Sequence, residues 1–449
     1  MSPINIGNSG QITIPMNNHC VRFFPRFIQS MVLVFFLLML TTPTSNQFER
    51  GIALVVLLAG STIFFTKWRI DKSILAWLLV TTIAGLISLF IGSLENVDRA
   101  FRHSTVYLIW PLVYVYFIGF ATKPATLVPF LKAIIIGILI ASLMGIIYVS
   151  TVSMGFDMKL LSDFFENQGA RLGFHDGYIK YRLFNITTLI YGVGFVYSIV
   201  ASSYRNSWVT HRWQLIIYAT IVLMLVAAIL TGRRSLWLTI FIAPIFHMLL
   251  SFLLRQKISA APFLLFFSGG LALLLILAVI FDLGILDMAD LFTSSADFSG
   301  AESNTARAEQ YASLLAGWAD SPWFGNGLGA SASIIRSDDL PWAYELFYVA
   351  LLFHNGMLGV MIYGLAILWL FGAGVRVMAS NLQSQPILLP LLTALGCFLI
   401  ASASNPYLSK FDYLWIIFLP LAAINSFRVR NNHRSIISTN LSSNTFPPS

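Results

Sequence analysis

The chain has 449 residues, of which 57% are hydrophobic, 14% are aromatic and only 10% are charged. A soluble globular domain carries about 25% charged residues, so the composition excludes an ordinary soluble protein and predicts a chain that crosses a membrane repeatedly. The formal net charge is +8. We expect no nucleic acid partner, because the basic residues of membrane proteins concentrate in cytoplasmic loops.

The first thirty residues do not read as a cleavable signal, because MSPINIGNSGQITIPMNNHC is polar and neutral rather than a charged start to an apolar core. A helical span needs roughly 20 mostly apolar residues, and about twelve stretches qualify. They lie at 26–43, 50–66, 73–92, 105–121, 127–150, 183–203, 213–231, 235–254, 261–281, 346–373, 386–402 and 411–427. The predicted fold is therefore an all-α polytopic membrane protein.

Lysine and arginine in the short loops favour the side that carries the N-terminus, which predicts that both termini are cytoplasmic. Nearly all acidic residues fall on the outer side. The predicted organisation has five parts: the N-terminal tail 1–25; helices one to nine with an outer loop at 151–182, together spanning 26–281; a large outer loop 282–345; helices ten to twelve at 346–427; and the C-terminal tail 428–449.

The loop 282–345 is the longest polar part of the chain, and a loop of this length is usually functional. We predict a helix over 304–319, which the Pro- and Gly-rich turn SPWFGNGLGA at 321–330 would end. The loop's aspartates do not have the spacing of a calcium-binding loop, so we expect no metal site at Asp282, Asp287, Asp290 and Asp297.

The segment TGRRSLWL at 231–238 places Arg233 and Arg234 between two apolar runs. Charge at such a depth is costly and indicates a functional site, although arginines can also extend to lipid headgroups. Further arginines and a tryptophan on the outer side are candidates for substrate binding, with interfacial anchoring or simple solvation as alternatives. They are Arg171, Arg182, Arg307 and Trp318.

The stretch ELFYVALLFHNGMLG at 345–359 begins with a carboxylate at the predicted outer membrane boundary. Glu345 is a candidate acid–base group. Alternatively, its negative charge stabilises the N-terminus of the helix that follows it. We interpret His354 as a structural residue of the apolar run, and Gly356 with Gly359 as a site of close helix packing. Arginine binds diphosphate through bidentate hydrogen bonds, and the outer face is therefore predicted to bind an anionic, lipid-linked glycan.

These segments resemble the O-antigen ligase and polymerase superfamily of bacterial envelope glycosyltransferases. The likeness rests on TGRRSLWL, on ARAEQYASLLAGWADSPWFGNGLGA at 306–330, on the stretch 345–359, and on their order and spacing. In the ligases a His-Asn pair precedes two glycines by 11 and 14 positions. Counting back from Gly356 and Gly359 gives Glu345 at the histidine position. This departure favours a polymerase over a ligase.

The resemblance implies a GT-C-like fold with a large helical periplasmic loop between the ninth and tenth spans, in the bacterial inner membrane. It implies a metal-independent glycosyltransferase without a cofactor, which uses an undecaprenyl-diphosphate-linked glycan donor at the periplasmic face. Glu345, Arg234 and Arg307 would then be catalytic, with His354 as an alternative acid–base group. The residues expected to bind substrate are Arg233, Arg182, Arg171, Tyr348 and Trp318.

Three functions are compatible with these observations. A polymerase extends a lipid-linked repeat unit, and a ligase transfers the glycan to lipid A core. A polysaccharide transporter or flippase moves the glycan across the membrane without catalysing a reaction. A chain-length regulator or a flippase is a possible protein partner, and membrane lipids surround the chain. A transporter should show paired broken helices or polar residues at the membrane midplane.

Overall fold

The structure is a computed structural model of the chain. It describes residues 18–43, 47–64, 68–153, 159–175, 178–182, 184–202, 208–231, 233–256 and 302–443, with a few positions between 263 and 271. The four aspartates considered above as metal ligands lie outside the described residues, as does most of the predicted ninth span.

The described part of the chain is a helical bundle with one small β-hairpin. The helices are α1 Asn18–Thr41, α2 Gln47–Phe64, α3 Lys72–Glu95, α4 Val97–Tyr107, α5 Ile109–Ile118, α6 Val128–Ser153, α7 Lys159–Asn167, α8 Ile186–Ala201, α9 His211–Leu230, α10 Arg234–Leu253, α11 Glu302–Asp320, α12 Phe347–Ser380, α13 Gln385–Ala401 and α14 Trp415–Ser443. The strands are β1 Arg171–His175 and β2 Tyr178–Arg182.

Within the described ranges, seven helices are long and apolar enough to cross a membrane, and two shorter apolar helices cover Phe27–Thr41 and Ile186–Ala201. Their surface carries many large apolar side chains, as expected for helices that face lipid. The prediction of a polytopic helical membrane protein is confirmed at this level. The number of twelve spans stays a prediction, as does the division into five parts.

Two local features differ from the predicted elements. The span expected at 105–121 is divided into α4 and α5 at Leu108, shortly before Pro111. Proline has no N–H to donate and is accommodated best in the first turn of a helix, which is where Pro111 lies in α5. The second difference is the antiparallel hairpin of β1 and β2, which the all-α prediction did not include and in which Arg171 is opposite Arg182.

Helix α8 lies at the centre of the bundle, and nearly all of its residues are buried. It packs against α6, α10 and α13. An ideal Cβ at Gly194 would lie 2.8 Å from the Cα of Ala394 on α13, so the two helices approach at backbone distance. Small residues permit such close packing between membrane helices.

A break in α12 positions the segments that follow the long loop. Gly356 has φ +64°, which interrupts the helix, and the 321–330 turn fills the gap. Backbone N–H groups of the turn donate to carbonyls before the break, and carbonyls of the turn accept from N–H groups after it. These bonds are Asn326 N to Phe353 O (2.9 Å), Gly327 N to His354 O (3.0 Å), Met357 N to Pro322 O (2.9 Å) and Leu358 N to Trp323 O (3.1 Å).

A second apolar core fixes α11 to this turn and to the start of α12. Its buried members are Leu314, Ala330, Tyr344, Ala350 and Phe353. The observed α11 coincides with the helix predicted at 304–319. We call the end of the bundle that carries α11, the 321–330 turn and Glu345 the α11 face, and the end where α3 begins the opposite face.

Candidate active site

Glu345 lies just before α12, and both of its carboxylate oxygens are paired with arginines. Arg307 on α11 donates from Nε to Oε2 over 2.6 Å, and Arg336 pairs with Oε1. The backbone N–H of Glu345 donates to Gln310 Oε1 over 2.9 Å. The side chains of Glu345, Arg307 and Arg336 are 20%, 30% and 42% exposed. The group is therefore held in a defined geometry and remains accessible from the surface.

Tyr407 connects this cluster to the turn before α10. It lies in the short 3₁₀ turn Tyr407–Ser409 between α13 and α14 and is buried. Burial raises the pKa of Tyr407, and Arg233, the Ser235 hydroxyl and Arg307 oppose that rise. The charges of Arg233 and Arg307, which come from separate segments of the chain, both act on the phenol of Tyr407, so the three residues belong to one region of the structure.

The arrangement combines an anion-binding region with a carboxylate. Burial lowers the pKa of Arg307, but a guanidinium normally titrates above about 12 and stays charged at neutral pH. Guanidinium groups that are partly withdrawn from water bind phosphate oxygens strongly. A multiply charged anion next to Arg307 would lie beside Glu345, a carboxylate that can accept a proton.

The family model for O-antigen ligase matches residues 219–371, from α9 into α12. This segment is similar to the O-antigen ligase family. The resemblance to the O-antigen ligase and polymerase superfamily is thereby confirmed, and the family implies a glycosyltransferase-like activity on lipid-linked sugars in a membrane. No curated protein matches the chain.

Most of the predicted site residues fall inside the matched segment 219–371. The structure brings three of them together at the α11 face: Arg233, Arg307 and Glu345. Arg234 is the first residue of α10, so its backbone lies next to Arg233, while its side chain falls outside the described part.

Arg171 and Arg182 lie outside the matched segment 219–371, on the two strands of the hairpin. Their side chains are not among the described ones. The chain that leaves the hairpin is nevertheless close to the Tyr407 turn, since Tyr413 Oη donates to the carbonyl of Phe184 over 3.4 Å. The rings of Tyr413 and Tyr407 meet edge to face at 6.4 Å.

The two aromatic residues of the predicted substrate site both make defined polar contacts. Tyr348 is exposed, and its hydroxyl donates to the carbonyl of Leu399 over 2.7 Å. Trp318 donates from Nε1 to the carbonyl of Pro322 over 3.0 Å, which connects the end of α11 to the turn that follows. Tyr348 therefore stays partly accessible from the surface, whereas the polar atom of Trp318 stabilises the turn.

His354 is buried within the bundle rather than exposed beside Glu345. Its Nε2 lies 3.1 Å from the carbonyl of Ala330, and its ring meets His103 at 4.7 Å. His103 Nδ1 in turn accepts from the N–H of Gly329 over 3.1 Å. Burial and the neighbouring His354 keep the pKa of His103 well below its ordinary value. Both histidines therefore hold the 321–330 turn, which supports the structural interpretation of His354.

Sequence reasoning missed Arg336 and Tyr407. Arg336 belongs to the loop before α12 and had no feature that separated it from a solvated arginine. Tyr407 belongs to a polar connection, ASNPYLSKFDY at 403–413, whose proline and two tyrosines between apolar runs were the available signal. Among the described residues no group of three or more His, Cys, Asp or Glu side chains is placed to hold a metal ion.

Proposed function

We propose that the protein is a polysaccharide polymerase that transfers an undecaprenyl-diphosphate-linked glycan onto another lipid-linked repeat unit. The observation that carries the proposal is that the charges of Arg233 and Arg307 both act on Tyr407 while Arg307 pairs with Glu345, in a chain whose residues 219–371 match the O-antigen ligase family model. In a bacterial inner membrane with both termini in the cytoplasm, the α11 face is the periplasmic one.

The diphosphate of the donor binds to the guanidinium groups. Arg307 and Arg233, with Arg234 next to it, contact the phosphate oxygens, and the hydroxyl of Tyr407 donates a further hydrogen bond. The same groups stabilise the negative charge that grows on the leaving diphosphate in the transition state. The hairpin arginines Arg171 and Arg182 complete the site when substrate is bound, since the segment that follows the hairpin reaches the Tyr407 turn through Phe184 and Tyr413.

Glu345 acts as the general base for the acceptor sugar. In the substrate-free state its two oxygens are occupied by Arg307 and Arg336. Donor diphosphate offers these arginines a more highly charged partner, so donor binding frees the carboxylate. This exchange couples activation of the base to the presence of the donor and limits wasteful hydrolysis.

The chemical step is a single displacement with inversion. A hydroxyl oxygen of the acceptor sugar attacks the anomeric carbon of the donor and forms the new glycosidic bond. The bond from the anomeric carbon to the phosphate oxygen breaks, and undecaprenyl diphosphate leaves with the electron pair. The acceptor's proton passes to Glu345. The bonds, electrons and proton of this step are accounted for without a metal or a cofactor.

A ligase is the second candidate, because the matching family model is described as O-antigen ligase. The same chemistry then transfers the finished glycan to lipid A core. Deletion of the gene distinguishes the two on a gel of surface polysaccharide. Core lipid with a single repeat indicates a missing polymerase, bare core with polymer retained on the carrier lipid indicates a missing ligase, and an unchanged ladder contradicts both.

The transporter hypothesis receives less support from the geometry. A transporter needs broken helices that open onto a substrate cavity. The break in α12 at Gly356 is filled by hydrogen bonds from the 321–330 turn. The ionic groups of the site lie on the α11 face and not inside a channel between the helices.

Arg307→Lys tests the anion site. Lysine keeps the charge but loses the planar fork that contacts a carboxylate and a phosphate together, so we expect kcat to fall by about 10²-fold. The measurement is polymer formation from a synthetic lipid-diphosphate repeat unit in detergent. Arg99→Lys, on α4, is the matched control and should retain full activity. A normal kcat for Arg307→Lys with an unchanged melting temperature would remove Arg307 from the mechanism.

A further inference from the structure

A basic pocket lies on the opposite face, where α3 begins, where α12 approaches its end, and beside the middle of α14. Its volume is about 520 Å³, and it is lined by Asp71, Lys72, Ser73, Arg376, Val377, Ser380 and Arg428. The far end of α3 meets the 321–330 turn at Gly92. The pocket is therefore separated from the candidate active site by the length of a spanning helix.

Arg428 is held rigidly at the wall of this pocket. It donates to Asp71 Oδ1 over 3.0 Å and to the hydroxyl of Ser73, and its guanidinium lies 5.7 Å from the ring centre of Trp369. Asp71 also caps α3 by accepting from the N–H of Ser73 over 3.1 Å. These bonds help to lower the pKa of Asp71 although burial opposes them, so Asp71 and Arg428 form a neutral pair at neutral pH.

Lys72 and Arg376 give the pocket its net positive charge. Both side chains are exposed, and three basic groups stand against one carboxylate around the cavity. The Nε of Arg376 donates to the carbonyl of Gly372 over 3.2 Å, one turn earlier in α12, which directs the guanidinium along the helix. A phosphate group would satisfy this excess of charge with charge-assisted hydrogen bonds.

Apolar surface continues from each of these two basic residues along its helix. Leu75 and Leu79 follow Lys72 at helical spacing and are 40% and 61% exposed. Leu368 precedes Arg376 by two turns on the same side of α12 and is 67% exposed. A basic pocket above exposed apolar helix faces matches the shape of a lipid, with its charged head at the membrane surface and its chains alongside the helices.

We propose that this pocket binds the phosphate group of an anionic membrane lipid in the leaflet opposite the active site. Basic pockets between membrane helices on the cytoplasmic side are suited to cardiolipin and related headgroups. The lipid phosphate contacts Lys72, Arg376 and Arg428, and its acyl chains cover Leu79 and Leu368. The bound lipid joins the start of α3, the end of α12 and the middle of α14, and the segments around Glu345 lie at the other ends of α3 and α12.

The test uses the purified full-length protein in detergent and follows its melting temperature. Cardiolipin and phosphatidylglycerol are added in turn, with phosphatidylcholine and inorganic phosphate as separate arms. We expect both anionic lipids to raise the melting temperature by about 2 °C or more, and the other two to leave it unchanged. A response to inorganic phosphate equal to that of the lipids would mean a free-anion site and overturn the lipid assignment, as would no response at all.

The variant Lys72→Gln/Arg376→Gln is expected to lose the lipid shift. Its control, Lys123→Gln/Arg212→Gln, removes the same charge from two exposed residues at the starts of neighbouring helices and should keep the shift. If both double variants lose it equally, general surface charge explains the effect and the pocket does not. Should the first double variant fail to fold, Arg376→Gln alone is expected to need about tenfold more lipid for the same shift. None of these measurements depends on glycosyl transfer.

Discussion

Glu345→Gln is expected to lower kcat for polymer formation by about 10³-fold while the protein stays folded. Glutamine has the shape of glutamate and can still accept a hydrogen bond from one arginine, but it cannot take up the acceptor's proton. General-base catalysis contributes about 10²–10⁴-fold. Since Glu345, Arg307 and Arg336 are each partly exposed, the loss of the ion pairs should cost only about 1 kcal/mol of stability.

The pH profile separates a base from a residue that only positions arginines. If Glu345 is the base, the wild-type rate falls at acidic pH as the carboxylate is protonated, and Glu345→Gln lacks this acidic limb. If Glu345 only holds Arg307 and Arg336 in place, the variant has a raised KM for the donor and keeps the limb. Glu345→Asp retains the carboxylate and should recover part of kcat.

Asp338→Asn is the matched control for this experiment. Asp338 is an exposed carboxylate in the same loop, and its amide variant changes the net charge by the same amount. It should show full activity with the wild-type pH profile. A Glu345→Gln enzyme as fast as wild type would remove the base assignment and leave Glu345 as a positioning residue.

The helices were predictable because hydropathy is a local property. Helix α12 begins at Phe347 against a predicted start at 346, and α11 covers Glu302–Asp320 against 304–319. The hairpin at Arg171–Arg182 was not predicted, because its short strands alternate weakly and are stabilised by pairing with each other. The interruption at Leu108 follows from Pro111, whose effect was hidden within a strongly apolar run.

The residue types of the site were predictable, but their pairing was not. Charge next to apolar runs drew attention to Arg233 and Glu345, and the long polar outer loop drew attention to Arg307. The bond between Arg307 and Glu345 joins residues 38 positions apart, and its formation depends on how α11 packs against the start of α12. Tyr407 became a candidate site residue only because the structure shows that the charges of Arg233 and Arg307 act on it. Long-range packing of this kind leaves no periodic signal in one sequence.

Gly92→Ala is expected to destabilise the protein by about 3 kcal/mol and to lower its melting temperature by about 5 °C. An ideal Cβ at Gly92 would lie 2.8 Å from the backbone nitrogen of Leu328 and 2.9 Å from its carbonyl carbon, and still closer to its carbonyl oxygen. These are backbone atoms of the 321–330 turn and cannot rotate away. The turn is also held to α3 there, because the N–H of Leu328 donates to the carbonyl of Ser88 over 2.9 Å.

Activity should fall together with stability in this variant. The turn occupies the break in α12, eleven residues after Glu345 in the chain, and it is packed against α11, which carries Arg307. Displacing the turn from α3 therefore shifts both partners of the Arg307–Glu345 ion pair. A misplacement of about 1 Å can cost 10²-fold in rate, so a measurable loss of kcat is expected even below the melting temperature.

Gly364→Ala is the matched control for the glycine variant. Gly364 lies on α12, and an ideal Cβ there meets no atom within 4 Å. Alanine favours helix over glycine by about 1 kcal/mol, so this variant should be neutral or slightly more stable, with normal activity. If Gly92→Ala had the same melting temperature and the same kcat as Gly364→Ala, α3 and the turn would not be in backbone contact. Another part of the α11 face would then have to hold Glu345 in place.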